Sequence, residues 1–199
     1  REGEFVDRIR GLSYQEIAEN GGGILNSAKA LGQMSEDDLF EVSLERMERL
    51  MRMGTGAIEI KSGYGLDLES ELKMLRVGRR LGALDRIPVK TTFLGCHAVP
   101  PLWDNAMSYT RHMANEVLPA VLEEGLADHV DVFCEQGYFG LEETSLMLKQ
   151  AKLRGIPAKV HVNQFTAGGG VGLCVEMEAL SVDHLEVLEA SDVAELASG

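Results

Sequence analysis

Three of the five histidines in this 199-residue chain, His97, His161 and His184, each close a short apolar or β-branched run. The runs read "VKTTFLGC" before His97, "AKV" before His161 and "LSVD" before His184. A neutral imidazole in such a place can ligate a transition metal, orient a water or carry its proton. A single histidine at a strand end is usually satisfied by ordinary hydrogen bonds. Three at successive strand ends point to a shared site. Lys61, Ser62, Gly63 and Tyr64 follow the run "IEI", and Glu135 follows "DVFC". Asn163 and Gln164 come just after His161, and Asp183 directly precedes His184. Together these groups suit a hydrolase or lyase with a histidine-rich mouth, at moderate specificity, since no HExxH and no Cys/His finger spacing is present.

Other features read as structural. His112 falls in a helical stretch and His129 just before a strand. Cys134 has no base beside it in sequence, so a thiol nucleophile is a weak reading. The glycine runs at 21–23 and 168–170 lack the strand–GxGxxG–helix setting of a dinucleotide site and are expected to be turns. "GLDLESELK" is expected to be the solvated start of a helix.

The elements that position these groups alternate. Residues 35–53 open with a serine N-cap and acids in the first turn, and carry apolar residues at helical spacing. Helices are also expected over 69–84, over 105–124 as one long element, over 141–155 ending at Gly155, and over 168–179. Between them lie five strands, read as continuous apolar runs buried on both faces, as in a parallel sheet. A doubly wound sheet and a (β/α) barrel both fit. The barrel is favoured because polar residues close every strand and not one switch point alone. Five strands cannot close an eight-stranded barrel, so the expectation is a partial chain.

The net charge of −13 argues against nucleic acid as a partner. No apolar run is long enough to span a membrane, and the charged start "REGEFVDRIR" is unlike a signal peptide. Cys96, Cys134 and Cys174 are odd in number and show no CxxC spacing, which favours buried or free thiols in a reducing, cytoplasmic setting.

The strings "RxxEF" at 1–5, "GGGIL" at 21–25, "IEIKSGYGLDLESELKMLR" at 58–76 and "KTTFLGCHAVP" at 90–100 resemble the imidazolonepropionase family of the amidohydrolase superfamily. So do "DVFCE" at 131–135, "KVHVNQ" at 159–164 and "LSVDHLE" at 180–186, in the same order. The resemblance implies a partial TIM-type (β/α)8 barrel of the metal-dependent kind, with its first and last strands missing. Residues 1–199 would form the central part of one catalytic domain, without the family's small β domain, its upstream His-x-His pair or its downstream aspartate. The implied activity is metal-dependent hydrolysis of 4-imidazolone-5-propanoate to N-formimidoyl-L-glutamate in histidine degradation. His161 would be a metal ligand for one zinc or iron ion. Arg1, Tyr64, His97, Gln164 and Tyr14 would bind substrate, and His184 and Gln164 would act in catalysis. With no lysine closing "DVFCEQG", a single metal is expected rather than a lysine-bridged pair. Glu135 would serve the site or the fold equally well. The expected partner is the small substrate, with a homodimer compatible with the pattern. Two alternatives stand beside this one: a heterocycle deaminase of the same superfamily, and an inactive barrel fragment that binds without catalysing.

Overall fold

A computed structural model describes residues 2–12, 16 and 23–199. Arg1 and Tyr14, both expected to meet substrate, lie outside the described residues, as does most of the 21–23 glycine run. The chain opens with helices α1 (Glu2–Ile9), α2 (Gly23–Gln33) and α3 (Glu36–Arg52). The expected cap of α3 is present: the Ser35 side chain accepts the Asp38 N–H at 3.1 Å.

Five strands follow, β1 (Ile58–Lys61), β2 (Val89–Cys96), β3 (His129–Cys134), β4 (Ala158–Val162) and β5 (Ser181–His184). All neighbours are parallel, and the order across the sheet is the order in the chain. A doubly wound sheet reverses its order at a switch point; this sheet does not. Helices α4 (Leu68–Gly82), α7 (Leu141–Leu153) and α8 (Gly170–Glu176) supply three of the crossovers, and α9 (Ala190–Ser198) follows β5. The β2–β3 crossover is α5 (Ala106–His112) and α6 (Leu118–Glu123), joined by a π turn over Met113–Val117. The expected single helix is therefore interrupted. Pro119 explains the break, since it has no N–H for the preceding turn and its ring crowds the carbonyl that would have accepted it.

The sheet is strongly curled. β1 and β5 stand four strand spacings apart, roughly 19 Å along a flat sheet. Yet Lys61 Nζ on β1 lies 2.9 Å from Asp183 Oδ2 on β5, and Lys159 on β4 lies 2.7 Å from Glu59 on β1. Neither pair of side chains could meet across a flat sheet. The strands form half of a barrel, with a concave and a convex face.

The two faces differ chemically, which corrects the expectation of continuous apolar strands. Val130, Val132, Val160 and Val162 point to the convex side, where with Leu75, Phe93, Tyr109, Met113, Val117, Phe139 and Met147 they form the main core beneath the helices. Every second residue turns inward instead: Glu59, Lys61, Thr92, Asp131, Lys159, His161 and Asp183. A charged residue can occupy a concave strand position here because another charge faces it across the curl. Cys96, Cys134 and Cys174 are all free and buried, as expected. A smaller cluster of Met47, Val77 and Leu81 joins α3 to α4.

Phe139 is wholly buried in the main core. Phe139→Ala is expected to cost about 3–5 kcal/mol, measured as a lower midpoint in urea unfolding.

Candidate active site

The concave face is organised around Lys61. Its ammonium donates to Asp131 Oδ2 at 2.7 Å and to Asp183 Oδ2 at 2.9 Å, and lies 3.6 Å from Glu59 Oε1. Burial alone would lower the Lys61 pKa; the two aspartates outweigh it and hold the value above that of an ordinary lysine. Glu59 shows the converse. Burial favours its protonated form, but hydrogen bonds from Lys159 and Thr92 and the charge of Lys61 keep it below the ordinary carboxylate value. Asp183 is likewise held low by Lys61 against the effect of burial.

Asp131, fully buried, carries this network to His161. Its carboxylate lies 2.9–3.0 Å from His161 Nδ1, while its own chain's Val132 N–H donates to it at 2.7 Å. An ionised carboxylate only accepts, so Nδ1 is assigned the proton and Nε2 keeps its lone pair. The His161 ring then stands 5.1 Å from that of His184 and 6.5 Å from that of His97, centre to centre. The structure thus gathers all three strand-end histidines.

His97 sits on the turn after β2. Its Nδ1 lies 3.0 Å from the Gly63 carbonyl, and its ring makes an edge contact with Tyr64 at 5.0 Å. Burial drives its pKa down to about 4, against the pull of the Gly63 carbonyl, and the Lys61 charge adds to the fall. The imidazole is neutral, with Nδ1–H donating to Gly63.

The turn that carries Tyr64 is built on a group that the sequence hid. Glu71, placed by pattern on a solvated helix start, is wholly buried. Its carboxylate accepts the N–H groups of Gly63, Gly65 and Leu66 at 2.8–3.1 Å. Burial pushes its pKa up, and the Ser62 hydroxyl and those amides pull against that rise. The helix itself begins at Leu68, capped by Asp67, whose side chain accepts the Ser70 N–H at 2.9 Å.

After His161 the chain turns sharply. Asn163 has φ +53, and its buried amide donates to Asp192 of α9 at 2.9 Å. It therefore pins the outer helix layer and does not share the direction of His161, as a regular strand would require. The turn leaves Gln164 half-buried just beyond. Glu135 braces this segment: Phe165 N–H donates to it at 2.8 Å, and the Thr166 hydroxyl also bonds it. The bonds from Thr166, Phe165 and Gln136 overcome the effect of burial and hold Glu135 below the ordinary value. Its role is to anchor the loop that carries Gln164. His184 closes β5 with φ +84, and its Nδ1 lies 2.9 Å from Glu186 Oε1. Its carboxylate partner is Glu186 rather than the adjacent Asp183, which Lys61 engages.

Comparison with known proteins gives a direct match. The chain is 54% identical to an imidazolonepropionase of Christiangramia forsetii over 194 residues, 97% of its own length. It is equally similar to one from Flavobacterium psychrophilum, and 48% identical to one from Shewanella baltica over 197 residues. This chain is homologous to the imidazolonepropionases. It spans about half the length of these curated relatives, 47–48% of each. No family model matches it.

Homology to these enzymes, of the amidohydrolase type, brings a metal into consideration, and the donor set can be judged on its own chemistry. Asp131, His161 and Asp183 offer ligand atoms within 4.8 Å of one another. Both carboxylates, however, already hold the Lys61 ammonium, and a divalent cation between them would meet that charge. His161 fits better as a ligand through Nε2. A histidine whose other nitrogen is held by a carboxylate is the usual form of a metal-binding imidazole. The described residues thus supply one prepared nitrogen ligand, with Asp131 behind it and Lys61 behind Asp131.

The residues that pattern alone missed are Glu59, Asp131, Lys159, Glu71 and Glu186. The first three had a visible signal, the charged residue at every second position of "IEIK", "HVDVFC" and "AKVHV".

Two outcomes follow for measurement. Lys61→Met should destabilise the fold by about 3 kcal/mol, because it leaves facing carboxylates without their cation. Lys61→Met combined with Asp131→Asn should recover part of the loss in the same urea titration. For His97, an NMR titration of its ring should show protonation near pH 4 rather than 6.5. The unfolded chain binds that proton first, so this group's share of stability is full above 6.5 and falls as pH drops toward about 4.

Proposed function

We propose that the protein to which this chain belongs hydrolyses 4-imidazolone-5-propanoate to N-formimidoyl-L-glutamate, a cytoplasmic step of histidine degradation. The observation that carries this is 54% identity to an imidazolonepropionase across nearly the whole chain. The half-barrel is read as the central part of a TIM-type (β/α)8 catalytic domain, its remaining strands supplied by the other half of the relatives' length. In such a barrel the strand ends share one mouth. The contacts among the His97, His161 and His184 rings support that geometry.

The reaction adds water to the ring carbonyl carbon, breaks the C–N bond of the cyclic amide, and returns a proton to the departing nitrogen. The metal, one zinc or iron ion held in part by His161, would supply Lewis-acid polarisation and a water of lowered pKa. Asp131 keeps the His161 ring oriented for that task. His97 is uncharged and gives Nδ1–H to Gly63, so its Nε2 presents a lone pair that can accept an N–H of the imidazolone ring. Tyr64, beside it, presents a hydroxyl to the substrate. Arg1 is assigned to the propanoate, since a guanidinium matches a carboxylate in a two-point fork. Tyr14 is assigned to the same pocket. Gln164 contacts substrate from the loop that Glu135 anchors. His184, oriented by Glu186, is assigned to moving the proton of the attacking water.

The test is an assay of the full-length protein. It should turn over imidazolonepropanoate and leave guanine and cytosine unchanged; turnover of only a nucleobase would overturn the assignment in favour of a deaminase. Arg1→Gln should raise KM by about tenfold or more with a smaller change in kcat, as loss of a charged hydrogen bond predicts. His161→Ala should remove both the bound metal, read by elemental analysis after dialysis, and the activity.

A further inference from the structure

We infer that Glu71 is a positioning residue of the active site: its buried carboxylate shapes the turn that sets Tyr64 and His97 against the substrate. This rests on the substrate role proposed above for that turn.

Five consecutive residues, Ser62 to Leu66, wrap around one carboxylate. Oε1 accepts Gly65 N–H at 2.8 Å and Leu66 N–H at 2.9 Å, while Gly63 N–H lies 3.1 Å from Oε1 and 3.0 Å from Oε2. The Ser62 hydroxyl also bonds Glu71, and the same hydroxyl oxygen accepts Leu94 N–H from β2 at 3.0 Å. No cation among the described residues pairs with this carboxylate. Such an arrangement costs desolvation and helps the fold less than an apolar residue of similar size could. What it provides is a fixed backbone path, since converging N–H groups each need an acceptor in one place.

The path matters because both of its outputs face the site. Tyr64 is the residue between the two glycines the carboxylate holds. Gly63, whose N–H is held by Glu71, gives its carbonyl to His97 Nδ1 at 3.0 Å, so one peptide unit on either side of Gly63 fixes the tautomer of His97. Neither glycine position has room for a side chain. Gly63 has φ +96, and a Cβ there would stand 2.6 Å from the Leu94 carbonyl oxygen; a Cβ on Gly65 would stand 2.4 Å from Glu71 N. A second brace lies beneath: the Tyr109 hydroxyl, wholly buried, donates to the Gly95 carbonyl at 3.1 Å and approaches that of Leu66 at 3.4 Å. Leu66 itself is left-handed, with φ +62. The motif "SGYGLDLESE" at 62–71 is thus one unit, in which its last residue, Glu71, sets the shape of the first five.

Glu71→Gln tests this with little change of volume. Its oxygen can keep Gly65 and Leu66, but its amide N–H₂ would face the Gly63 N–H, donor against donor. In the full-length protein, amide exchange over residues 62–66 should speed up, and KM for imidazolonepropanoate should rise about tenfold with kcat less affected. Glu71→Ala should do the same more strongly. Because KM does not depend on the fraction of folded enzyme, a merely structural role would lower the melting temperature and leave KM alone. Unchanged exchange over 62–66 in Glu71→Gln overturns the inference. So does faster exchange with an unchanged KM, provided Tyr64→Phe and His97→Asn do raise KM. If those two variants also leave KM unchanged, the substrate role of the turn is what fails, and the inference falls with it.

Discussion

One ammonium group ties the concave face together. Lys61 on the first strand reaches Asp131 on the third and Asp183 on the fifth, and it can do so only because the sheet curls. The dependence runs both ways. A curled parallel sheet brings its inward side chains close enough to interact strongly, and like charges there would oppose the curl. Alternating acid and base across the face removes that opposition: Glu59 with Lys159, Lys61 with Asp131 and Asp183. Apolar packing under the helices supplies most of the stability. The charges on the other face decide what shape and orientation that packing must accommodate.

From Lys61 the order passes outward to the imidazoles. Asp131 is fully buried, and its oxygens are shared among Lys61, the Val132 amide and His161. The ring of His161 therefore has one orientation and one tautomer, with the free nitrogen left for a ligand. His97 is fixed by a different route, through a backbone carbonyl on the glycine turn, and His184 by a third, through Glu186. The three neighbouring histidines are each held by a distinct partner. Such independent support is how a site keeps several groups within a fraction of an ångström of their working positions.

The glycine turn shows a second way of fixing geometry. Around His161 the structure uses paired charges; around Tyr64 it uses a single buried carboxylate answered only by N–H dipoles. The first fixes the His161 ring while the surrounding charges sum close to neutrality. The second suits a turn that holds one shape, because backbone amides cannot rotate away as a lysine can.

Much of this was legible in the residues. The alternation of helix and strand, the N-cap at Ser35, and the polar strand ends all depend on neighbours a few residues apart, and the structure bears them out. The strings "KSGYGLDLE" and "KVHVNQ" carried the likeness to imidazolonepropionases, which the identities of 48–54% bear out. What pattern could not decide were the partners. Asp131 belongs with His161 and Lys61, thirty and seventy residues away in the chain. Asn163 belongs with Asp192, and His184 with Glu186 rather than its neighbour Asp183. Glu71, in a run of charges, looked solvated because helical periodicity says which residues share a face, not what covers that face. The sequence by itself determined the elements and the kinds of group at their ends, since these follow from local propensity and alternation. Only the curl of the sheet decided which carboxylate meets which base, because that choice depends on distances between strands that no local pattern contains.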